Sequence, residues 1–416
     1  MKVVLVSSVF PPEHTFSSQT NAQTAEELVR RGHSVHVYAP FPSHPKGRLF
    51  DGYKRTLYST SIVDAGYTLT HCFGTFSRSS TLMSRFAWNL SFGITSGARI
   101  LFGKRPDVIF SSTWPIFATG ILAMVARVRR VPLVLRVQDI YPESLDSQRR
   151  VTRRNWAYRL LRQFDQMIAH SSQQILVISR AFQKVYENDR GVPAEKVHVI
   201  PNWGNDEMVD TDRTAALAFR RKLGIPENTF VAVYAGNVGV ASNAELLVEA
   251  LAKLKDQPHI YLVIAGEGAQ LCACRDEAER QDLDRVVIHT PWRTEETGPV
   301  IKMADVLLLP TKGRQSLNSI PSKLITYLLS GRPVIAAVLP ESDTAAAILE
   351  SGAGWVVNPD SAELMAEAIL AASKQSAESL NRMGSTGREY ALESYTREAN
   401  LSRVVEIVEQ AGKVAE

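Results

Sequence analysis

The sequence predicts an α/β protein built from two Rossmann-like, doubly wound domains of similar size that face one another across a cleft. Three observations predict it. Short β-branched apolar runs recur along the chain, each followed by a polar or glycine-bearing loop and an amphipathic helical stretch, the pattern of parallel strands covered on both faces. At 416 residues the chain exceeds what one core of this kind usually holds. The rhythm is interrupted by a polar, charged stretch, Asp206–Arg213, which marks a crossover. The expected division is therefore a first domain over 1–205, a second over 206–394, and a terminal helix over 395–416 that returns toward the first domain.

In the first half, Val3–Val6 reads as a central strand opening onto Ser7–Thr20, a loop rich in Pro, Ser and Thr. A helix over Asn21–Arg31 stops at Gly32 and is followed by the strand Ser34–Ala39, which completes a βαβ unit. Pro40–Arg105 is less regular, although Leu82–Phe102 can form a helix with an apolar face. Next come the strand Asp107–Ser111 running into SSTWP, the helix Ile116–Arg129, and the strand Pro132–Val137 running into QDIYPES. The helix Asn155–Ala169, the strand Gln174–Ile178, the helix Arg180–Tyr186 and the strand Val197–Ile200 close this half at PNW.

The second half starts with the strand Phe230–Ala235, which ends in GNVGV, then a helix over Asn243–Leu254 and the strand His259–Ile264, which ends in AGEG. Val286–His289 is a strand and Glu295–Met303 a helix. The central segment follows: the strand Val306–Leu309, a partly basic loop Pro310–Pro321, a helix opening near Ser322 and stopping at Gly331, and the strand Pro333–Ala337. A helix from Pro340–Thr344 ends near Gly352, Trp355–Val357 is a short strand, and Asp360 or Ser361 caps another helix. Tyr395–Glu409 has apolar residues at helical spacing.

Composition excludes several classes. With 45% hydrophobic and 22% charged residues the chain is globular rather than disordered. No apolar run reaches the roughly 18 to 20 residues of a membrane span, and the opening MKVVLVSSVFPPE reads as a strand and loop, not a signal peptide. Cys72, Cys272 and Cys274 fit neither a disulfide framework nor a zinc spacing, and a cytoplasmic setting is expected. The net charge of +4 is unevenly spread, with an arginine-rich region between Lys104 and Arg162. Without a nucleic-acid-binding motif beside it, this points to anionic lipid or substrate.

The chemistry is read from the strand ends. A loop that brings small polar residues and backbone N–H groups to a helix start can hold an anion such as a diphosphate. The segment around Ser319–Lys323 with Arg314 has that form. No G-x-G-x-x-G fingerprint, G-x-x-x-x-G-K-[ST] loop, H-E-x-x-H pair or nucleophile elbow is present, which disfavours hydride transfer, P-loop phosphoryl transfer, zinc proteolysis and serine hydrolysis. Transfer of an activated sugar remains, its diphosphate leaving group stabilised by cations and N–H groups. On the acceptor side Glu13, His14, Trp114, Asp139, Tyr141 and Glu143 leave strand ends, and aromatic rings beside carboxylates suit a sugar.

The stretches SSVFPPE, PDVIFSSTWP, LRVQDIYPES, VIPNW, VYAGNVG, VIAGEG, ADVLLLP and SIPSKLITYLLSGRPVIA together resemble the GT-B glycosyltransferases of family 4, in particular the bacterial cell-surface polysaccharide branch of colanic-acid and aminosugar transferases. The resemblance implies a retaining transferase that uses a nucleotide sugar, UDP favoured over GDP, with no bound metal or other cofactor. It places the acceptor in the first domain and most of the donor in the second. Gly236, Asn237 and Glu267 would lie on the donor side, with Ser319, Ile320, Pro321 and Ser322 facing the diphosphate and the transferred sugar.

The chain departs from the family at two places. An E-x7-E pair whose second Glu holds the ribose is usual; the positions here are Asn318 and Thr326. The usual pair of basic residues after the first strand of the donor domain is replaced by Asn237 and Ser242. Arg314 and Lys323 are expected to compensate, and Asp139 to orient or deprotonate the acceptor hydroxyl. A nucleotide-sugar epimerase, or a catalytically weak carbohydrate-binding or scaffold protein, are the alternatives. The acceptor is expected to be an oligosaccharide or lipid-linked glycan. Basic and aromatic residues around Arg78–Phe102, including Arg85 and Trp88, are expected to hold the first domain against the cytoplasmic face of the inner membrane.

Overall fold

A computed structural model describes residues 1–13, 15–43, 47–75, 82–112, 115–143, 156–204, 211–317 and 320–413. The chain divides into two units, Met1–Pro201 with Asn400–Glu416, and Asn202–Ala399. Both are α/β units organised around a parallel sheet, as the alternating pattern predicts.

In the first unit an eight-stranded sheet runs in the order β3-β4-β2-β1-β5-β6-β7-β8. Its strands are β1 (Lys2–Val6), β2 (Ser34–Pro40), β3 (Tyr58–Ile62), β4 (Thr68–Cys72), β5 (Val108–Ser112), β6 (Leu133–Val137), β7 (Gln174–Val177) and β8 (Val197–Val199). All pairings are parallel except β3 with β4. That hairpin lies inside the stretch expected to be irregular. Its outer strand, YSTSI, is almost wholly exposed, so it lacks the apolar run that reveals a buried strand.

Helix α1 (Phe16–Arg30) begins five residues before the expected start. The Thr15 hydroxyl accepts from Ser18 N at 3.1 Å, an N-cap concealed in a Ser/Thr-rich loop. Helices α2 (Leu82–Phe102), α3 (Ile116–Arg129) and α4 (Trp156–Ser171) lie side by side. Glycines let them approach: a Cβ on Gly93 would overlap the Ala118 backbone, and one on Gly120 would overlap the Phe164 ring. Phe86, Phe117 and Phe164 make successive ring contacts at 4.9 and 5.7 Å. Helix α5 (Arg180–Lys184) passes into a π-type turn, Val185–Asp189.

In the second unit six parallel strands run β11-β10-β9-β12-β13-β14. They are β9 (Phe230–Ala235), β10 (Ile260–Ala265), β11 (Val286–His289), β12 (Val306–Pro310), β13 (Val334–Ala337) and β14 (Gly354–Val357). The helices are α6 (Arg213–Lys222), α7 (Glu245–Ala252), α8 (Leu271–Arg280), α9 (Thr297–Lys302), α10 (Ser322–Leu329), α11 (Asp343–Ser351), α12 (Ala362–Ser373) and α13 (Ala377–Ser394). Strands β9, β10, β12 and β13 are buried almost throughout, which is why they read as continuous apolar runs. Gly331 and Gly352 end α10 and α11 in the left-handed region, φ 70° and 62°. A final helix, α14 (Arg397–Lys413), contributes its residues from Asn400 onward to the first unit. There Glu409 meets His33 at 2.7 Å and Arg31 at 3.4 Å.

Candidate active site

An open parallel sheet offers a ligand crevice beyond the carboxyl ends of two neighbouring strands from which the chain winds in opposite directions. In the second unit that point lies between β9 and β12, since β10 and β11 continue to one side and β13 and β14 to the other. The register ends early, with Val306 opposite Ala232 and Leu307 opposite Val233, so the strands part beyond Val233.

The crevice is made largely of backbone. Gly236, at φ 136°, donates its N–H to Ala265 O at 2.8 Å, and Val238 N donates to Glu267 O at 2.8 Å. The turns after β9 and β10 are therefore interleaved. A Cβ on Gly266 would overlap Gly236 O, one on Gly268 would overlap Val238 O, and one on Gly236 would overlap Lys323 Cε.

Lys323, in the first turn of α10, points into this region. Its Nζ lies 3.5 Å from the Asn237 carbonyl oxygen and 5.1 Å from the Tyr234 ring centroid. Burial pushes the ammonium down to about 8. Asn237 O also accepts from the Tyr234 hydroxyl at 2.6 Å. Pro321 and Ser322 open α10, and Ile320 packs against the core beneath. Thr326 lies one turn further on, its hydroxyl 3.4 Å from Ser322 O. Glu267 is exposed at the tip of the β10 turn.

Sequence patterning left Asp360 as one of two cap candidates; the structure gives the cap to Ser361, whose hydroxyl accepts from Leu364 N at 3.2 Å. Asp360 instead sits at φ 62° and ties two loops bordering the crevice, accepting from Gly313 N at 3.0 Å and from Asn243 Nδ2 at 3.1 Å.

The first unit has its own point of divergence, between β1 and β5. Asp139 lies just beyond β6, and burial pushes its carboxyl up to about 6. The adjoining loop is pinned by Arg190, whose side chain is fully buried. Its Nη2 donates to Tyr141 O at 2.8 Å and to both Glu143 oxygens at 2.8 and 2.9 Å, and its Nε donates to Asp165 Oδ2 at 2.9 Å. The Tyr186 hydroxyl donates to the other Asp165 oxygen at 3.1 Å. Glu13 is also buried, and its carboxylate accepts from Ser43 N at 2.7 Å.

Comparison with known proteins decides the family. Residues 17–203 match the family "Glycosyl transferase 4-like domain" and residues 229–375 match "Glycosyl transferases group 1". The chain is a GT-B glycosyltransferase. It is related to bacterial surface-polysaccharide enzymes. WcaI of Escherichia coli K12, assigned to colanic acid biosynthesis as a glycosyl transferase, is 24% identical over 97% of this chain and 99% of its own length. Among solved structures, Anabaena HepE in complex with UDP superposes with a TM-score of 0.72 at 15% identity, covering 99% of this chain and all of HepE. WaaG, a glycosyltransferase involved in lipopolysaccharide biosynthesis, does so with a TM-score of 0.69 at 16% identity, covering 98% of this chain and 99% of WaaG.

In this glycosyltransferase the structure brings Gly236, Asn237, Lys323 and the start of α10 together at one crevice. It gathers Asp139, Tyr141 and Glu143 at the edge of the other sheet. His14, Trp114, Asn318, Ser319 and the Arg314 side chain lie outside the described residues. Two predicted contact residues have internal duties, Glu13 toward Ser43 and Glu143 toward Arg190. Arg190, Tyr327 and Asp360 were missed as site-building residues. A fully buried arginine runs against the usual distribution of charge, and Tyr327 reads as one more apolar position on the inner face of α10.

Proposed function

We propose that this glycosyltransferase moves a sugar from a UDP-sugar, with retention of configuration, to a lipid-linked glycan acceptor in bacterial surface polysaccharide synthesis. The carrying observation is the β9/β12 crevice, where the Gly236 turn leaves the backbone open and Lys323 supplies a cation. The family's usual basic residue beside this turn is replaced by Asn237. Lys323 reaches the same place from α10, so the charge is supplied by the helix instead of the turn. HepE was crystallised with UDP, which supports the choice of nucleotide.

In this reading the second unit binds the donor and the first the acceptor. The diphosphate lies at Gly236, the Ser319–Ser322 segment and Lys323. Negative charge builds on the leaving phosphate as the glycosidic bond breaks, and the ammonium stabilises it where water is partly excluded. Arg314 is the second cation assigned to that group in this reading, while Glu267 and the Thr326 hydroxyl contact the sugar nucleotide. Asp139 accepts a hydrogen bond from the acceptor hydroxyl, and Tyr141 offers a ring to a sugar face. Glu13 and Glu143 hold those loops in place.

Among the described residues, no helix is long and apolar enough to cross a membrane. The reading of a leaflet contact rests on the outer face of α2, α3 and α4. Met83, Phe86, Leu90 and Ile94 on α2, Val128 on α3 and Trp156 on α4 are exposed. Arg85, Arg127, Arg159 and Arg162 lie on the same helices, and this mixture suits an anionic interface. Arg78 lies outside the described residues, and Trp88 faces inward, stacked on Phe92 at 6.1 Å. Phe86, Leu90 and Ile94 replace it as the inserting side chains.

The test is a transfer assay with purified protein, a panel of UDP- and GDP-sugars, and polyprenyl-diphosphate-linked glycan from a surface-polysaccharide pathway. Acceptor-dependent release of UDP with retained anomeric configuration is expected. Isomerised free nucleotide sugar formed without acceptor would mean an epimerase. Failure to bind any nucleotide would mean a carbohydrate-binding scaffold.

A further inference from the structure

A second cavity opens at the opposite, amino-terminal edge of the six-stranded sheet, with a volume of about 600 Å³. Its charged lining is Arg213, Arg220, Lys302 and Arg332 with Asp305 and Glu227, Glu227 pairing outward with Arg221 at 3.5 Å. Asp305 is already engaged: its Oδ2 accepts from Val231 N at 2.7 Å and pairs with Arg220 Nη2 at 2.9 Å. Arg220 is likewise spent, its Nε donating to Met303 O at 2.7 Å. Arg332 differs. It makes one hydrogen bond, Nη2 to Lys302 O at 2.6 Å, and among the described residues no carboxylate lies within ion-pair distance of it. Capping the end of α9 in this way uses one of its five donors. Burial lowers its proton affinity; attraction to Asp305 offsets part of that, and repulsion from Arg220 and Arg213 adds to it.

Asp305 already pairs with Arg220, so a half-buried guanidinium with no direct carboxylate pair of its own, and a second guanidinium at the rim, leave an excess of positive charge that an anion relieves. The space exceeds that of a bare phosphate and lies within the roughly 300–1,000 Å³ of small-molecule sites. Asn228, Thr229, Gln375 and Asn381 supply polar groups around the remainder. We propose that this cavity binds a phosphorylated polar small molecule, its phosphate held between Arg332 and Arg213 and its hydroxyl-bearing portion against the amide and hydroxyl side chains. Arg332 follows α10 after Ser330 and Gly331, and the helix's other end carries Lys323. An occupant therefore touches the segment that positions the donor-side cation, as expected of an effector site.

Calorimetric titration with inorganic phosphate and pyrophosphate, on the full chain, tests the inference independently of the transfer reaction. Pyrophosphate can also enter the β9/β12 crevice, so the Lys323→Ala protein is the reference. Retained binding there is expected, with a loss of about tenfold or more in Lys323→Ala/Arg332→Gln, the scale of a lost charge-assisted pair. Arg213→Gln, at an exposed residue, guards against misfolding and should weaken binding in the same direction. Absence of binding to Lys323→Ala at millimolar concentrations of both anions would overturn the proposal. So would binding that neither arginine substitution changes.

Discussion

The Tyr327 hydroxyl stands in for a strand partner of Ala235. It accepts from Ala235 N at 2.9 Å and donates to Ala235 O at 3.1 Å. The β9/β12 register has ended two residues earlier, at Leu307 opposite Val233, so both peptide groups would otherwise be buried and unpaired. One phenol from α10 therefore permits the strands to separate where the β9/β12 crevice opens, and it fixes α10 to the residue before Gly236.

Tyr327→Phe removes both bonds without changing the ring. Two buried backbone groups lose their partner, each worth about 1–3 kcal/mol. A clear fall in melting temperature is expected, together with a raised KM for the donor because Gly236 and Lys323 lose their common anchor. Calorimetric unfolding and donor kinetics measure the two effects, and an unchanged donor KM would confine the tyrosine to stability.

Lys323 should trade stability for activity. Its proton affinity is lowered in the folded state, to about 8, so the charged form opposes folding at neutral pH and stability should rise as pH increases from about 8 toward the unfolded value. Lys323→Met is expected to melt at the same or a higher temperature while losing about 10- to 100-fold in kcat/KM, the scale of a charge-assisted contact. Lys323→Arg should lessen any alkaline loss of donor binding above about pH 8, because a guanidinium remains charged.

The acidic limb of the pH profile is expected to belong to Asp139. Burial pushes its carboxyl up to about 6, and in the proposed role it accepts from the acceptor hydroxyl only when ionised, so kcat/KM for the acceptor should rise with pH up to about 6 and then level. Asp139→Asn should abolish that limb and most of the turnover, with donor binding preserved. A wild-type limb retained in the variant would assign the titration to another group.

Removing Arg190 while leaving Glu143 and Asp165 strands two carboxylates beside an apolar core. Arg190→Met is expected to cost about 3–5 kcal/mol, as for other broken buried pairs, and to lower the melting temperature of the first unit. Adding Glu143→Gln and Asp165→Asn should recover part of that loss, because the uncompensated charge is gone. Thermal unfolding followed by circular dichroism distinguishes the triple variant from the single one.

What could be read from sequence follows burial. Strands such as Val231–Tyr234 and Val306–Leu309 lie inside on both faces, so side-chain type alone announces them. Helix stops at Gly32, Gly331 and Gly352 were visible because the left-handed region leaves few other choices. The hairpin Tyr58–Cys72 was hidden because one strand presents Ser and Thr to solvent. The helix Ala377–Ser394 was hidden because two glycines interrupt its pattern: a Cβ on Gly384 would overlap Gly331 O, and one on Gly387 would crowd Ala353. At the candidate site, residue type suggested Lys323 and Asp139, and the family resemblance suggested Gly236. It could not show that Glu13 and Glu143 are occupied by internal partners, since a carboxylate near a strand end looks the same whether it meets a substrate or an arginine.

The interleaved turns at Gly236, Gly266 and Gly268 also limit how this protein can diversify. A side chain at Gly266 or Gly268 collides with main chain, and one at Gly236 is strained by its left-handed backbone and displaces Lys323, so the crevice floor resists retuning by point substitution. If the crevice holds the donor as proposed, a change of donor is expected to come through neighbouring side chains such as Asn237, Glu267 and Lys323, with the floor inherited unchanged.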